Sequence, residues 1–313
     1  MVELESGIRR VTFALPLGID HVHCYLLEDS HGGWTLVDTG LGLPDAAEHW
    51  ESILDALDEP INRIVITHFH PDHVGAAADV AALTGAPVHQ GAEDYDQCVR
   101  TWGELRVPAR MPAYLRTHGI PESDVEAFEA EAEAFSQLVH FVRDPELLRP
   151  GDEVDGWDVL HFPGHADGHI ALVRNGVLAA GDTLLASITP NVGLYPDSRP
   201  DPLGDYLESL ERIAGLDLRL ALPGHHAPIA DPTARARELI GHHGARLDQT
   251  TAALDRSPKT AYDVSLVLFP DELPPVLRRF ALAETRAHLE YLVFRDGASR
   301  VEEDGRVSYL ASP

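Results

Sequence analysis

The nine residues THFHPDHVG, 67–75, put three histidines and an aspartate into the stretch from 68 to 73. Imidazole nitrogen and carboxylate oxygen are the donors that zinc takes at ~2.0–2.2 Å. In an extended turn, side chains two residues apart point the same way. His68 and His70 can therefore reach one ion together. Asp72 and His73 open the helix that follows, where their side chains can turn towards a second ion. A carboxylate can bridge two ions, which in two-metal hydrolytic sites lie ~3.5–4 Å apart. Further donors recur downstream: His165 and His169 in PGHADGH, Asp182 at the end of LAAGD, and His225 and His226 in PGHH. The chain has 18 histidines, far more than a core needs.

The elements that must position these side chains alternate in type. IRRVTFAL (8–15), HCYLLE (23–28) and WTLVD (34–38) read as strands, with SHGG (30–33) a hairpin turn between the last two. LPDAAEHWESILDAL (43–57) has apolar residues at helical spacing. INRIVIT (61–67), rich in β-branched residues, predicts a buried strand that runs straight into the histidine cluster. VGAAADVAALTG (74–85) predicts a helix ended by Gly85, and APVHQ a short strand. WDVLHFPG (157–164), HIALVRN (169–175) and GVLAAGD (176–182) restore the strand rhythm. DPLGDYLESLERIAGL (201–216) predicts a helix, and LRLALPGHH (218–226) a strand ending at the histidine pair. In both halves the metal-type side chains fall where a strand ends.

Residues 92–145 are polar, rich in Ala and Glu, and punctuated by Pro108, Pro112 and Pro121. They predict a helical insertion placed as a lid over a pocket. With SITPNVGLYPDSRPDP (187–202), it is expected to set substrate choice. Trp102, Met111, Tyr114 and Tyr195 read equally as pocket wall or core. From residue 232 the pattern becomes helix, helix, helix and a hairpin around Asp304-Gly305, a small winged-helix-like arrangement. The expected division is a catalytic unit over 1–231 and a C-terminal unit over 232–313.

The formal net charge is −27. Residues 233–313 hold 11 basic and 12 acidic side chains, against 13 and 39 in the rest. A field that negative repels nucleic-acid backbones and anionic lipid. No apolar run approaches the ~20 residues of a membrane span, and the N-terminus has no cleavable signal pattern. The expected location is cytoplasmic. Cys24 and Cys98 make no disulfide framework.

Taken in order, His-x-His-x-Asp-His after a strand, Pro-Gly-His, Gly-Asp and a second Pro-Gly-His resemble the signature of the metallo-β-lactamase superfamily. The resemblance covers roughly residues 8–231. It implies an α/β fold, a four-layer αβ/βα sandwich with its site along one edge. It implies that His68, His70 and His165 hold a first ion, that Asp72, His73 and His225 hold a second, and that Asp182 bridges. LVDTG (36–40) matches the family's first motif, which implies that Asp38 orients a ligand imidazole. His169 is expected to hydrogen-bond behind the ligands. His226 reads as an exposed loop residue, His21 and His23 as ordinary strand-end histidines with the pocket mouth as the alternative, and His242 and His243 as helix-surface positions.

Two cations lower the pKa of a bound water from 15.7 towards ~7, so the expected reaction is hydrolysis by a metal-bridging hydroxide. Asp72 is the residue placed to orient it and take its proton. Two divalent ions are expected, zinc first, with iron or manganese as alternatives. Diiron oxygen-reducing members of the superfamily carry glutamate where this chain has His70, which favours hydrolysis. A mononuclear-iron persulfide dioxygenase keeps a similar loop and stands as an alternative. The tail, with SPKTAYDVSLVLFP and LAETRAHLEYLV, resembles the β-lactamase-like protein 2 group, which includes endoribonucleases and thioesterase-like members. The acidic catalytic region favours a small ester or thioester over RNA; lactonase or β-lactamase activity is the other alternative. The expected partners are a small-molecule substrate and, through the C-terminal unit, a second copy of the chain.

Overall fold

The computed structural model describes residues 1–16, 18–103, 110–270 and 272–312, with backbone alone for 130–134 and 276. Pro108 lies outside the described residues. Strands β1 (Val2–Glu5), β2 (Ile8–Ala14), β3 (His21–Glu28), β4 (Trp34–Val37), β5 (Ile61–Ile66), β6 (Val88–Gly91) and β7 (Glu146–Leu148) form one sheet in chain order. The first four strands pair antiparallel, and β4 to β7 pair parallel. A second sheet has the order β12 (Leu220–Pro223), β11 (Val177–Gly181), β10 (Ile170–Arg174), β9 (Trp157–His161), β8 (Glu153–Val154).

Strand β5 shows how alternation builds the layers. Successive side chains on a strand point to opposite faces. Ile64 and Ile66 pack with Trp50 of α1 (Ala46–Asp55) and Val80 of α3 (Ala77–Thr84). Val65 faces the other way, into a core shared with Val159, Ile170, Leu172 and Leu222 of the second sheet. The outer face of that second sheet sends Ala171, Leu178 and Ala221 against Tyr206 and Leu210 of α7 (Pro202–Gly215) and Leu239 of α8 (Pro232–Ala253). The order is helix, sheet, sheet, helix, as in an αβ/βα sandwich. With apolar cover on both faces, the parallel strands need no polar alternation.

The helix expected over 74–85 is broken in two, α2 (Pro71–Val74) and α3. Ala76 N turns aside to Gly40 O at 3.0 Å, and Gly75 O accepts from His140 N at 2.7 Å, so the helical ladder is interrupted. Gly75 permits the crossing: a Cβ there would lie 2.8 Å from Gly42 N. The sequence reading also missed β1, β7 and β8, which are too short or too polar to show a strand pattern.

In the insertion, α4 (Ala92–Trp102), α5 (Met111–Thr117) and α6 (Glu122–Ser136) are helical. Helices α5 and α6 share a core with the C-terminal elements: Met111, Tyr114, Leu115 and Phe128 pack with Val264 of α9 (Ala261–Leu268), Leu282 and Leu289 of α10 (Pro275–Phe294), and Tyr309 of β15 (Arg306–Ala311). Met111 and Tyr114 are thus core residues. Tyr195 packs on the edge of the same core, and Trp102 on that of the first sheet. The C-terminal unit adds β13 (Lys259–Thr260) and β14 (Ala298–Glu303), giving a three-stranded sheet β13-β15-β14. A reciprocal cap between Thr260 and Asp263 starts α9. Among the described residues no helix is long and apolar enough to cross a membrane.

Candidate metal centre

The ends of β4, β5, β9, β11 and β12 meet at one edge of the two sheets. Three overlapping sets of donor atoms gather there: His68, His70 and His165; His68, His73 and Asp182; Asp72, His73 and His225. Within each set the atoms lie within 4.8 Å of one another. Asp182 sits between the sets. Its Oδ1 is 3.5 Å from His73 Nε2, and its Oδ2 is 3.7 Å from His165 Nε2 and 3.2 Å from His225 Nε2. Asp72 Oδ2 lies 3.2 Å from His225 Nε2 and 3.7 Å from His73 Nε2. The seven side chains expected to hold ions are therefore together.

The far nitrogen of each ring decides which nitrogen faces the centre. His73 Nδ1 is 2.8 Å from Asp38 Oδ2 and donates to it, leaving Nε2 as the inward lone pair. Thr67 gives its hydroxyl proton to Asp38 at 2.8 Å, so its oxygen accepts from His68 Nδ1 at 3.0 Å. His165 Nδ1 donates to the main-chain carbonyl of Asn191 at 2.9 Å, and His225 Nδ1 to that of His21 at 2.6 Å. Asp38 has φ +60°, a left-handed conformation that aspartate tolerates better than most residues. Gly224 is needed for space: a Cβ there would lie 2.4 Å from Asp182 Oδ1 and 2.6 Å from His73 Cε1.

His169 stacks on His68, with ring centroids 4.8 Å apart and planes 25° apart. Its Nε2 accepts from Asp182 N at 3.1 Å, so it steadies the backbone that carries the central carboxylate. Sequence reasoning placed His21 at a strand end or the pocket mouth and missed that its carbonyl orients His225. Asn191 was missed as well. His23 lies near the start of β3 as expected, buried, and donates from Nε2 to His226 O at 2.8 Å. Two other expectations are corrected. His226 is half-buried rather than exposed. His243 is buried rather than at the helix surface, with its Nδ1 3.2 Å from His288 Nε2. His242 is exposed as expected.

The electrostatics divide the donors in two. Burial holds His68 and His70 well below the ordinary imidazole pKa, with neighbouring histidines adding to it. Burial also lowers His165, although Asp182 opposes it. Burial works against charge on His73 and His225 too, but the carboxylates win. Asp182, Asp72 and Asp38 hold His73 well above its ordinary range, and Asp182 and Asp72 raise His225 to about 10. Burial opposes the charge of Asp72, and His73 and His225 overcome it, lowering the carboxyl to about 2. The first set thus offers neutral imidazoles, and the second a carboxylate-rich nest in which protons occupy places a cation could take.

The donor set passes a direct test of fit. His73 Nε2, His165 Nε2 and Asp182 Oδ1 are buried without a hydrogen-bond partner. Buried polar atoms are almost always paired, and these three all face the same space. Nitrogen and oxygen donors at this spacing suit divalent transition ions.

Fold and site together define a metal-dependent hydrolase. The chain belongs to the metallo-beta-lactamase superfamily, whose family model matches residues 17–225. A second model, the metallo-beta-lactamase-like C-terminal domain, matches residues 247–312. A metallo-beta-lactamase family protein from Thermus thermophilus superposes with a TM-score of 0.86 at 39% identity, over 99% of this chain and 100% of that one. The beta-lactamase-like protein 2 homolog of Drosophila melanogaster is 27% identical over 97% of this chain and 93% of its own length. An atrochrysone carboxyl ACP thioesterase from Claviceps purpurea is 25% identical over 71% of this chain and 56% of its own length.

Proposed function

We propose that this chain is a binuclear metal-dependent hydrolase of a small ester or thioester. The observation that carries the reading is the orphaned trio of His73 Nε2, His165 Nε2 and Asp182 Oδ1 inside the donor cluster. A buried polar atom left unpaired costs about 1–3 kcal/mol, and two cations between the donor sets would satisfy all three. When bound, such ions acidify water to hydroxide near neutral pH and polarise the scissile carbonyl.

The protein's own residues supply the geometry. Asp38, Thr67 and the carbonyls of Asn191 and His21 fix four imidazoles with Nε2 inward. Asp182 spans the two sets. Asp72 keeps 17% of its side chain exposed, against 8% for His165 and Asp182, 1% for His225 and none for His73. Substrate therefore meets the centre from the side of Asp72. Asp72, a carboxylate at neutral pH, is the acceptor on that open side. It orients the attacking water through a hydrogen bond and takes its proton.

Two observations support acyl substrates over nucleic acid. Outside residues 233–313 the chain carries 39 acidic and 13 basic side chains, which repel a phosphate backbone. The named thioesterase among its relatives acts on an acyl carrier. The test is metal analysis of the purified protein followed by a hydrolysis screen of acyl thioesters, lactones, β-lactams and labelled RNA. The expected result is about two ions per chain and fastest turnover on a thioester or ester. A single iron per chain with persulfide oxidation, or RNA as the best substrate, would overturn the reading.

A further inference from the structure

Residues 191–195 touch the candidate centre on one side and the C-terminal helix α10 on the other. The main-chain carbonyl of Asn191 accepts from His165 Nδ1 at 2.9 Å. Its side-chain amide faces α10, where Nδ2 donates to Phe280 O and to Glu284 Oε2, each at 3.3 Å. Asn191 Oδ1 accepts from the Tyr195 hydroxyl at 3.2 Å. Leu194 N donates to Ala283 O at 3.1 Å, and Tyr114 OH donates to Leu194 O at 2.7 Å. Gly193 lets the loop lie close: a Cβ there would be 3.0 Å from Ala283 Cβ and 2.6 Å from the Tyr195 ring. The rings of His68, His73 and His225 are fixed by Thr67, Asp38 and His21, all from the first sheet and its loops. Among these four rings, only that of His165 is fixed through α10.

We propose that Asn191, clamped by Glu284, is a positioning residue, so that the C-terminal unit completes the metal centre. Helix α10 holds the Asn191 carbonyl where it keeps the proton of His165 on Nδ1 and turns Nε2 towards Asp182. A carbonyl can only accept, so its position sets both the tautomer and the ring angle. Without the clamp the loop keeps its carbonyl but loses its aim. The inference rests on His165 being a ligand.

The test is calorimetric titration of the metal-free, full-length protein with Zn2+, with the visible spectrum of the Co2+ form as a second readout. Asn191→Ala and Glu284→Ala are expected to weaken one ion roughly tenfold, the lower end for outer partners of a ligand, and to alter the Co2+ bands. Glu284→Gln, whose amide oxygen still accepts from Asn191, is expected to keep wild-type affinity. Val264→Ala removes core volume from the same C-terminal unit; it should lower the melting temperature and leave metal affinity alone. Unchanged affinity in both alanine variants, or an equal loss in Val264→Ala, overturns the proposal. If the alanine variants do not fold, Tyr195→Phe decides: a loss of Zn2+ affinity supports the clamp, and none refutes it. A wild-type protein that binds no divalent ion would instead remove the metal-centre reading, and this inference with it.

Discussion

The two sides of the candidate centre are held by different means. Around His68 and His73 the acceptors are side chains, Thr67 next door and Asp38 on the neighbouring strand. Around His165 and His225 they are main-chain carbonyls, brought from 26 residues away at Asn191 and 204 residues away at His21. A side-chain support depends on residue type. A carbonyl support depends on the path of the backbone, since every residue carries one. The first side should therefore be sensitive to substitution of its supports. The second should be sensitive to whatever steers the loops.

Asp72 joins the sides, and its loss should have the largest effect. It follows the first cluster in sequence, yet its Oδ2 reaches His225 Nε2 at 3.2 Å. Asp72→Ala is expected to lower kcat on the best substrate by ~10²–10⁴-fold, the range for a positioned acid or base. Circular dichroism should be unchanged. Turnover retained at the wild-type level would remove Asp72 from the mechanism.

A second measurement sharpens the carbonyl side through Glu284, which is buried against Asn191. Burial raises its carboxyl from the ordinary 4.5 to about 7, with Arg246 and Asn191 opposing. The folded protein then binds more protons than the unfolded chain between these values. That contribution to stability is present in full below pH 4.5 and is lost as pH rises through 7. Glu284→Gln cannot titrate, so its stability should gain on wild type across this window, by about 3 kcal/mol if the whole shift is expressed. Urea unfolding of both proteins from about pH 4 to 8 measures it. Parallel curves would mean that burial does not perturb this carboxyl.

The same contrast explains what could be read from sequence. THFHPDHVG was legible because its donors are contiguous and follow a β-branched strand. His165, Asp182 and His225 were legible through their order and the glycines beside them; Gly224 shows the reason, since a Cβ there would strike Asp182 and His73. Asn191 and His21 were illegible as supports because a carbonyl leaves no mark on residue type. His243 was misplaced because its residue type reads as surface, although it shares one face of α8 with Ala236, Leu239 and Thr250 at helical spacing. It packs under α7 and α10, where the ring of Tyr206 lies 5.4 Å away. The break between α2 and α3 was illegible because its hydrogen-bond partners, Gly40 and His140, are distant in sequence.

One pair of variants separates the side-chain supports from the carbonyl supports. Asp38→Asn keeps the shape and tolerates the left-handed backbone, and an amide still accepts from Thr67 N, which now donates to Asp38 Oδ1 at 2.8 Å. Its amino group, however, donates towards His73 Nδ1, which drives the ring proton onto Nε2, the atom that faces Asp182. Zn2+ affinity should fall ~10–100-fold. His21→Ala removes an imidazole that accepts from His226 N at 3.0 Å but leaves the carbonyl that fixes His225. Its expected cost is roughly threefold or less, because the acceptor survives the substitution. Both are read by the same Zn2+ titration. Equal losses would mean that the His21 ring steers its own carbonyl, and that the carbonyl side of the centre is as dependent on residue type as the side-chain side.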